Sequence, residues 1–235
     1  MENEHIVSSF DRDLSELNQM IAKLGGLAEQ QLAATIDAVE ARDLTPLAKI
    51  IENDAQLDEL EFRLNERAIE IIAIRSPMAK DLRRIIAAVK IASVLERVGD
   101  YAKNIAKRSR VIIESQGSGA TNVSIRRMAE TVQQMLNQVL DAYATSNAVL
   151  AMEVWDRDYE VDQMHTALFG ELLEIIKNQT EEAVVSSHFL FIAKNIERMG
   201  DHTTSIAEQV YYLVHGELPS DERPKADNTS LADTD

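Results

Sequence analysis

Glu96-Arg97-Val98-Gly99-Asp100 returns 101 positions later as Glu197-Arg198-Met199-Gly200-Asp201, and both runs lead into Ile-Ala, at 105–106 and 206–207. Upstream the correspondence continues at a slightly larger offset. Leu64, Glu70, Ile71 and Ile72 recur 104 positions on as Leu168, Glu174, Ile175 and Ile176, and Asp54 and Asp58 recur as Asp158 and Asp162. The step from 104 to 101 places a three-residue indel between the second and third elements of one copy. An internal repeat of this length governs the architecture before any single motif does.

Apolar residues inside each copy recur at alternating three- and four-residue spacing, the period of a helix with one buried face. Leu14, Leu17, Ile21, Leu24 and Ala28 mark a helix over 11–41, and Leu47, Ile51, Leu57, Leu64, Ala68 and Ile71 mark a second over 46–75. Ser76-Pro77 breaks the pattern, because the residue before proline is biased away from helical angles. A third stripe, Leu82, Ile85, Val89 and Ala92, belongs to a helix over 78–115. After a linker at Gln116–Asn122 the scheme repeats over 123–146, 148–178 and 180–215. The expectation is an all-α protein of two tandem, pseudo-symmetric three-helix bundles, 1–116 and 123–215. The remainder, 216–235, is polar, rich in Asp and Pro-containing, and is read as a disordered acidic tail.

Composition agrees with helices. Hydrophobic residues make up 45% of the 235, aromatics only 5%, and Gly and Pro number 8 and 4. A net charge of −16 opposes general affinity for nucleic acid or anionic membrane, both polyanions. With no cysteine, thiolate metal sites, iron–sulfur clusters, disulfides and cysteine nucleophiles are excluded. No apolar signal core opens the chain and no run of apolar residues is long enough to span a bilayer, so a cytoplasmic protein without membrane insertion is expected.

The chemistry lies in four acidic pairs at i,i+4 spacing: Asp54/Asp58, Glu96/Asp100, Asp158/Asp162 and Glu197/Asp201. This spacing puts both carboxylates of a pair on one helical face. Alone it is a weak signal in a chain with 40 acidic residues, where such pairs usually face water. The hairpins strengthen it. Asp54 and Asp100, and likewise Asp58 and Glu96, are equidistant from Pro77, while Asp158/Asp201 and Asp162/Glu197 are equidistant from the Gln179-Thr180 turn. Antiparallel helices would bring four carboxylates to one level, twice. Crowded carboxylates repel each other and lose hydration, so they require protonation, basic partners or a bound cation. Arg97 and Arg198 are poor internal partners, since helix neighbours point about 100° apart. All-oxygen donors favour hard ions such as Mg, Mn, Fe or Ca. The acidic pairs lack the Glu-x-x-His of di-iron bundles, His165 standing instead in an Asp-x-x-His with Asp162, and His165 and His202 are read as core or surface residues. Gly99 and Gly200 leave room either for an ion or for a close helix crossing.

The runs 96–106 and 197–207, with Arg-Ser-Pro-Met-Ala-Lys-Asp-Leu-Arg at 75–83, resemble the paired signature of the PhoU family of bacterial phosphate-signalling regulators. The resemblance spans about residues 10–215. It implies a non-catalytic, metal-binding negative regulator of the phosphate-starvation response, acting between the phosphate ABC transporter ATPase subunit and a sensor histidine kinase, and often dimeric. It also implies metal on the Glu-x-x-x-Asp motifs, which match Glu96/Asp100 and Glu197/Asp201. Asn104 stands where the second copy has Ser205, so unequal sites are expected. The competing expectation is a carboxylate-bridged di-metal enzyme on a helical bundle.

Overall fold

The computed structural model describes residues 2–115, 122–220, 223, 225–227 and 229, with the side chains of 2–8 and 122 excepted. Among them are six α-helices: α1 (Glu2–Ala41), α2 (Thr45–Arg75), α3 (Lys80–Glu114), α4 (Asn122–Thr145), α5 (Ala148–Asn178) and α6 (Ala183–His215). The linker expected at Gln116–Asn122 lies outside the described residues, apart from Asn122, which opens α4.

Local chemistry accounts for the breaks. Asp43 accepts a 2.9 Å hydrogen bond from the Thr45 amide, and Pro46 in the first turn of α2 needs no amide partner. Ser76 takes left-handed angles, its N–H bonding Ile72 O at 3.0 Å, and Pro77 prevents continuation. The Asn147 side chain caps α5 by accepting from the Val149 and Leu150 amides, each at 3.1 Å. Thr180–Glu182 form a 3₁₀ turn, so α6 starts later than its sequence pattern suggests. Gly216, at φ 85°, closes α6 with its N–H on Tyr212 O at 2.8 Å.

The helices α1–α3 pack on one another, as do α4–α6, and the two triplets meet along α3 against α6 and α1 against α4. One apolar core runs through both, from Leu17 and Leu24 of α1 through Ile85, Ile91 and Leu95 of α3 to Phe189 and Ile196 of α6. The stripe of α3 begins at Ile85, because Leu82 is exposed. Equivalent positions Tyr101 and His202 stack with ring centroids 5.4 Å apart, and the Tyr101 hydroxyl lies 3.2 Å from His202 Nε2. The local pseudo-twofold therefore passes between these two rings.

Candidate metal centres

The first acidic group forms where α2 and α3 run antiparallel. Asp54 is buried, Glu96 and Asp100 are half-buried, and Asp58 is exposed. Their closeness appears in the acidities. Burial, then the charges of Asp100 and Asp58, push the Glu96 carboxyl above its usual range, and burial followed by Asp54 does the same to Asp58. Lys103, one turn beyond Asp100, donates to both Asp54 and Asp100 and so bridges the helices. Burial works against the ammonium, but its hydrogen bonds to the two carboxylates outweigh that and hold its pKa well above the ordinary lysine value.

The second group, on α5 and α6, is enclosed. Asp158, Asp162 and Glu197 are buried and Asp201 is half-buried. Burial drives Asp158 up to about 7, although Arg223 opposes the rise. Glu197 is raised by burial in spite of Lys194, whose Nζ sits 2.9 Å away. Gly200 makes this enclosure possible: a Cβ there would stand 2.8 Å from Asp158 Oδ1. Gly99 answers to packing instead, since its Cβ would stand 2.6 Å from Leu57 Cδ1.

The covering chain is the segment after Gly216. Read from the sequence as disordered, its described residues lie across the second group. Arg223 donates to Asp201 and Thr204 and stands 3.4 Å from Asp158, and the Ala226 amide donates to Asp162 Oδ2 at 2.8 Å. Asp227 pairs with Lys194 at 3.0 Å and lies 3.6 Å from His165 Nδ1. Residues 221, 222, 224, 228 and 230–235 fall outside the described residues. The physical reason for the docking is charge. Buried carboxylates attract the tail's basic residues, and a charge-assisted hydrogen bond is worth about twice a neutral one.

The two groups are balanced in the same way from different sources. The position equivalent to Lys103 is Thr204, which cannot bridge Asp158 and Asp201. Arg223 reaches in over Thr204 and makes that bridge instead. Sequence reasoning did not single out Lys103, Lys194 or Arg223. The first two were findable, lying three residues from Asp100 and Glu197 on the same helices. Nothing local announces Arg223.

Among the described residues, no three carboxylate or imidazole groups converge, as they stand, on a point that could hold a metal ion. Cationic side chains lie between the carboxylates. The donor set nonetheless suits a hard cation: Asp158, only 1% exposed, has both carboxylate oxygens buried and free of hydrogen bonds. An ion there would replace Arg223 with a more concentrated charge. His165 is buried beside Asp162 and Asp227, and His202 is held by Tyr101. Asn104 faces a different cleft, and Ser205 spends its hydroxyl on Asp201 O at 3.1 Å.

Comparison with known proteins follows the repeat. The PhoU domain matches twice, at residues 21–109 and 125–210. The chain is 44% identical over 225 residues to the phosphate-specific transport system accessory protein PhoU homolog of Caulobacter vibrioides, covering 95% of this chain and 97% of that one. It is also 44% identical to the like-named protein of Rhizobium meliloti, with 98% and 97% covered. The crystal structure of PhoU from Pseudomonas aeruginosa superposes with a TM-score of 0.85 at 32% identity, over 88% of this chain and 100% of that one.

Proposed function

This chain belongs to the PhoU family, and from that premise we propose that it is a non-catalytic regulator of phosphate transport whose two carboxylate groups bind hard metal ions. It restrains the phosphate-starvation response by linking the ATPase subunit of the phosphate ABC transporter to a sensor histidine kinase in the cytoplasm, working as a homodimer. The relatives' names, which tie them to the phosphate-specific transport system, support the transport role. Among the described residues no helix is long and apolar enough to cross a membrane, which agrees with an adaptor that meets its membrane partner from one side. Exposed Phe62, Ile69, Ile74 and Met78, on α2 and the turn after it, give such an adaptor apolar surface to bury.

The observation that carries the metal reading is the buried, hydrogen-bond-free carboxylate of Asp158 inside a group of four acids. Metal would fix the spacing of α2 against α3 and of α5 against α6, converting ion supply into the shape presented to partners. Protein purified without chelator should carry metal, with part of it lost in Glu96→Ala and another part in Glu197→Ala. A metal-free native protein would remove this part of the reading. Pull-downs from phosphate-replete cells should recover the transporter ATPase and the kinase; recovering neither would remove the adaptor role.

A further inference from the structure

A well-formed cleft lies away from both acidic groups' carboxylates. It encloses about 600 Å³ between α3 and α6, lined by Lys107, Arg108, His188, Phe191, Lys194 and Arg198 among others. Four of these are cations, in a chain of net charge −16. Lys107, Arg108 and Arg198 form no ion pair or hydrogen bond with any described residue; only Lys194 is engaged, by Glu197 and Asp227. Arg108 is held in place differently, its guanidinium stacked 4.1 Å from the centre of the Phe191 ring. At the same cleft, His188 Nδ1 is buried with no hydrogen-bond partner. Three like charges kept together without acids, in so acidic a protein, raise the energy of the empty cleft and are relieved by an anion.

The pseudo-twofold supplies an internal control. The repeat offset of 101 maps Lys107, Arg108, His188, Phe191, Lys194 and Arg198 onto Glu208, Gln209, Ala87, Lys90, Ser93 and Arg97. Only the final pair keeps a cation in both copies. If the cations served α3–α6 packing alone, the other side of the axis would need them too. The fold leaves both sides open to basic residues, and this sequence places four on one side but only Lys90 and Arg97, beside Glu208, on the other.

We propose that this cleft binds a nucleotide-sized anion carrying a chain of phosphates. Arginine's planar fork suits phosphate oxygens, and Lys107 and Lys194 add point charges to the same wall. The volume lies within the ~300–1,000 Å³ typical of small-molecule sites, so it admits an organic portion beside the phosphates. The Phe191 side, 52% exposed, offers that portion an aromatic surface. The site is independent of the acidic groups, apart from Lys194 at their shared border.

The test is calorimetric titration of the full-length protein with ATP, in EDTA so that metal-bridged binding to the carboxylates is removed. Saturable binding is expected. It should weaken about tenfold or more in Arg108→Gln and in Arg198→Gln, each of which gives up one charge-assisted hydrogen bond, while Arg97→Gln leaves it unchanged. Phe191→Ala should weaken ATP but not tripolyphosphate, and inorganic phosphate should bind more weakly than either. These side chains are exposed or half-buried, and circular dichroism will confirm that each variant folds. Absence of saturable ATP binding overturns the proposal, as does equal loss in Arg97→Gln and Arg198→Gln. Tripolyphosphate binding as tightly as ATP would remove the organic portion from it.

Discussion

A buried carboxylate that titrates near neutrality leaves its mark on stability, and Asp158 has the clearest case. Its pKa stands at about 7 in the fold, against 3.8 for the ordinary group, with burial as the first cause. Below pH 4 the group is protonated in both the folded and unfolded chains and costs nothing. Between about 4 and 7 the unfolded chain releases the proton while the fold retains it, so stability from this group drains away as pH rises. Above 7 the penalty is complete, at most about 4 kcal/mol. In EDTA, Asp158→Asn should therefore gain on the parent protein as pH goes from 4.5 to 7.5, read by urea denaturation at both values. A variant whose advantage shrank across that window would contradict the burial account. Glu197 and Glu96, also raised with burial first, add slopes of the same sign.

At the scale of the helices, the crossing of α2 and α3 depends on Gly99. Leu57 is fully buried, so its Cδ1 has little freedom to retreat from a Cβ placed 2.6 Å away. Alanine gains about 1 kcal/mol in helix propensity, and overpacking costs about 1–3 kcal/mol. Gly99→Ala should lose about 1 kcal/mol net, or about 2–4 °C in melting temperature for a chain of this size. A rise in the melting temperature would show that the crossing has slack. The position of Gly99 inside an acidic pair was plain in the sequence, but whether it made room for an ion or a side chain was not, because that depends on the facing helix. The helices themselves were legible, since each carries a long apolar stripe, and Ser76-Pro77 and Gly216 mark the ends of α2 and α6. The 3₁₀ turn at Thr180–Glu182 was hidden, having the composition of a helix start. Levels within a hairpin could be read by counting from its turn, and burial could not: Asp58 and Asp162 are equivalent in sequence, yet one is exposed and the other enclosed.

The whole molecule differs from its two halves through the C-terminal segment, which converts one of two equivalent acidic groups into a covered one. No local pattern reveals this, because the docking joins residues far apart in sequence and rests on charge rather than period. It has a consequence for metal uptake. An ion entering the first group has only to displace the Lys103 ammonium, which stays tethered nearby on α3. An ion entering the second must lift Arg223 off Asp158 and Asp201 and break the hydrogen bond that the Ala226 N–H donates to Asp162. The work of displacing a bound segment subtracts from apparent affinity, so the second group should bind the same ion more weakly. Ending the chain after Ser220 removes that competitor, and Arg223→Ala removes its main charge. Titration with Mn²⁺ should show two classes of site in the full chain. In both variants the weaker class should tighten by about tenfold, because the competitor then holds on with at least one charge-assisted hydrogen bond fewer. The stronger class should stay unmoved. Glu197→Ala should abolish the class that responds, assigning it to α5 and α6. If the truncated chain instead bound metal less tightly at that class, the segment would be contributing ligands, and its Asp227 carboxylate would be the donor to examine.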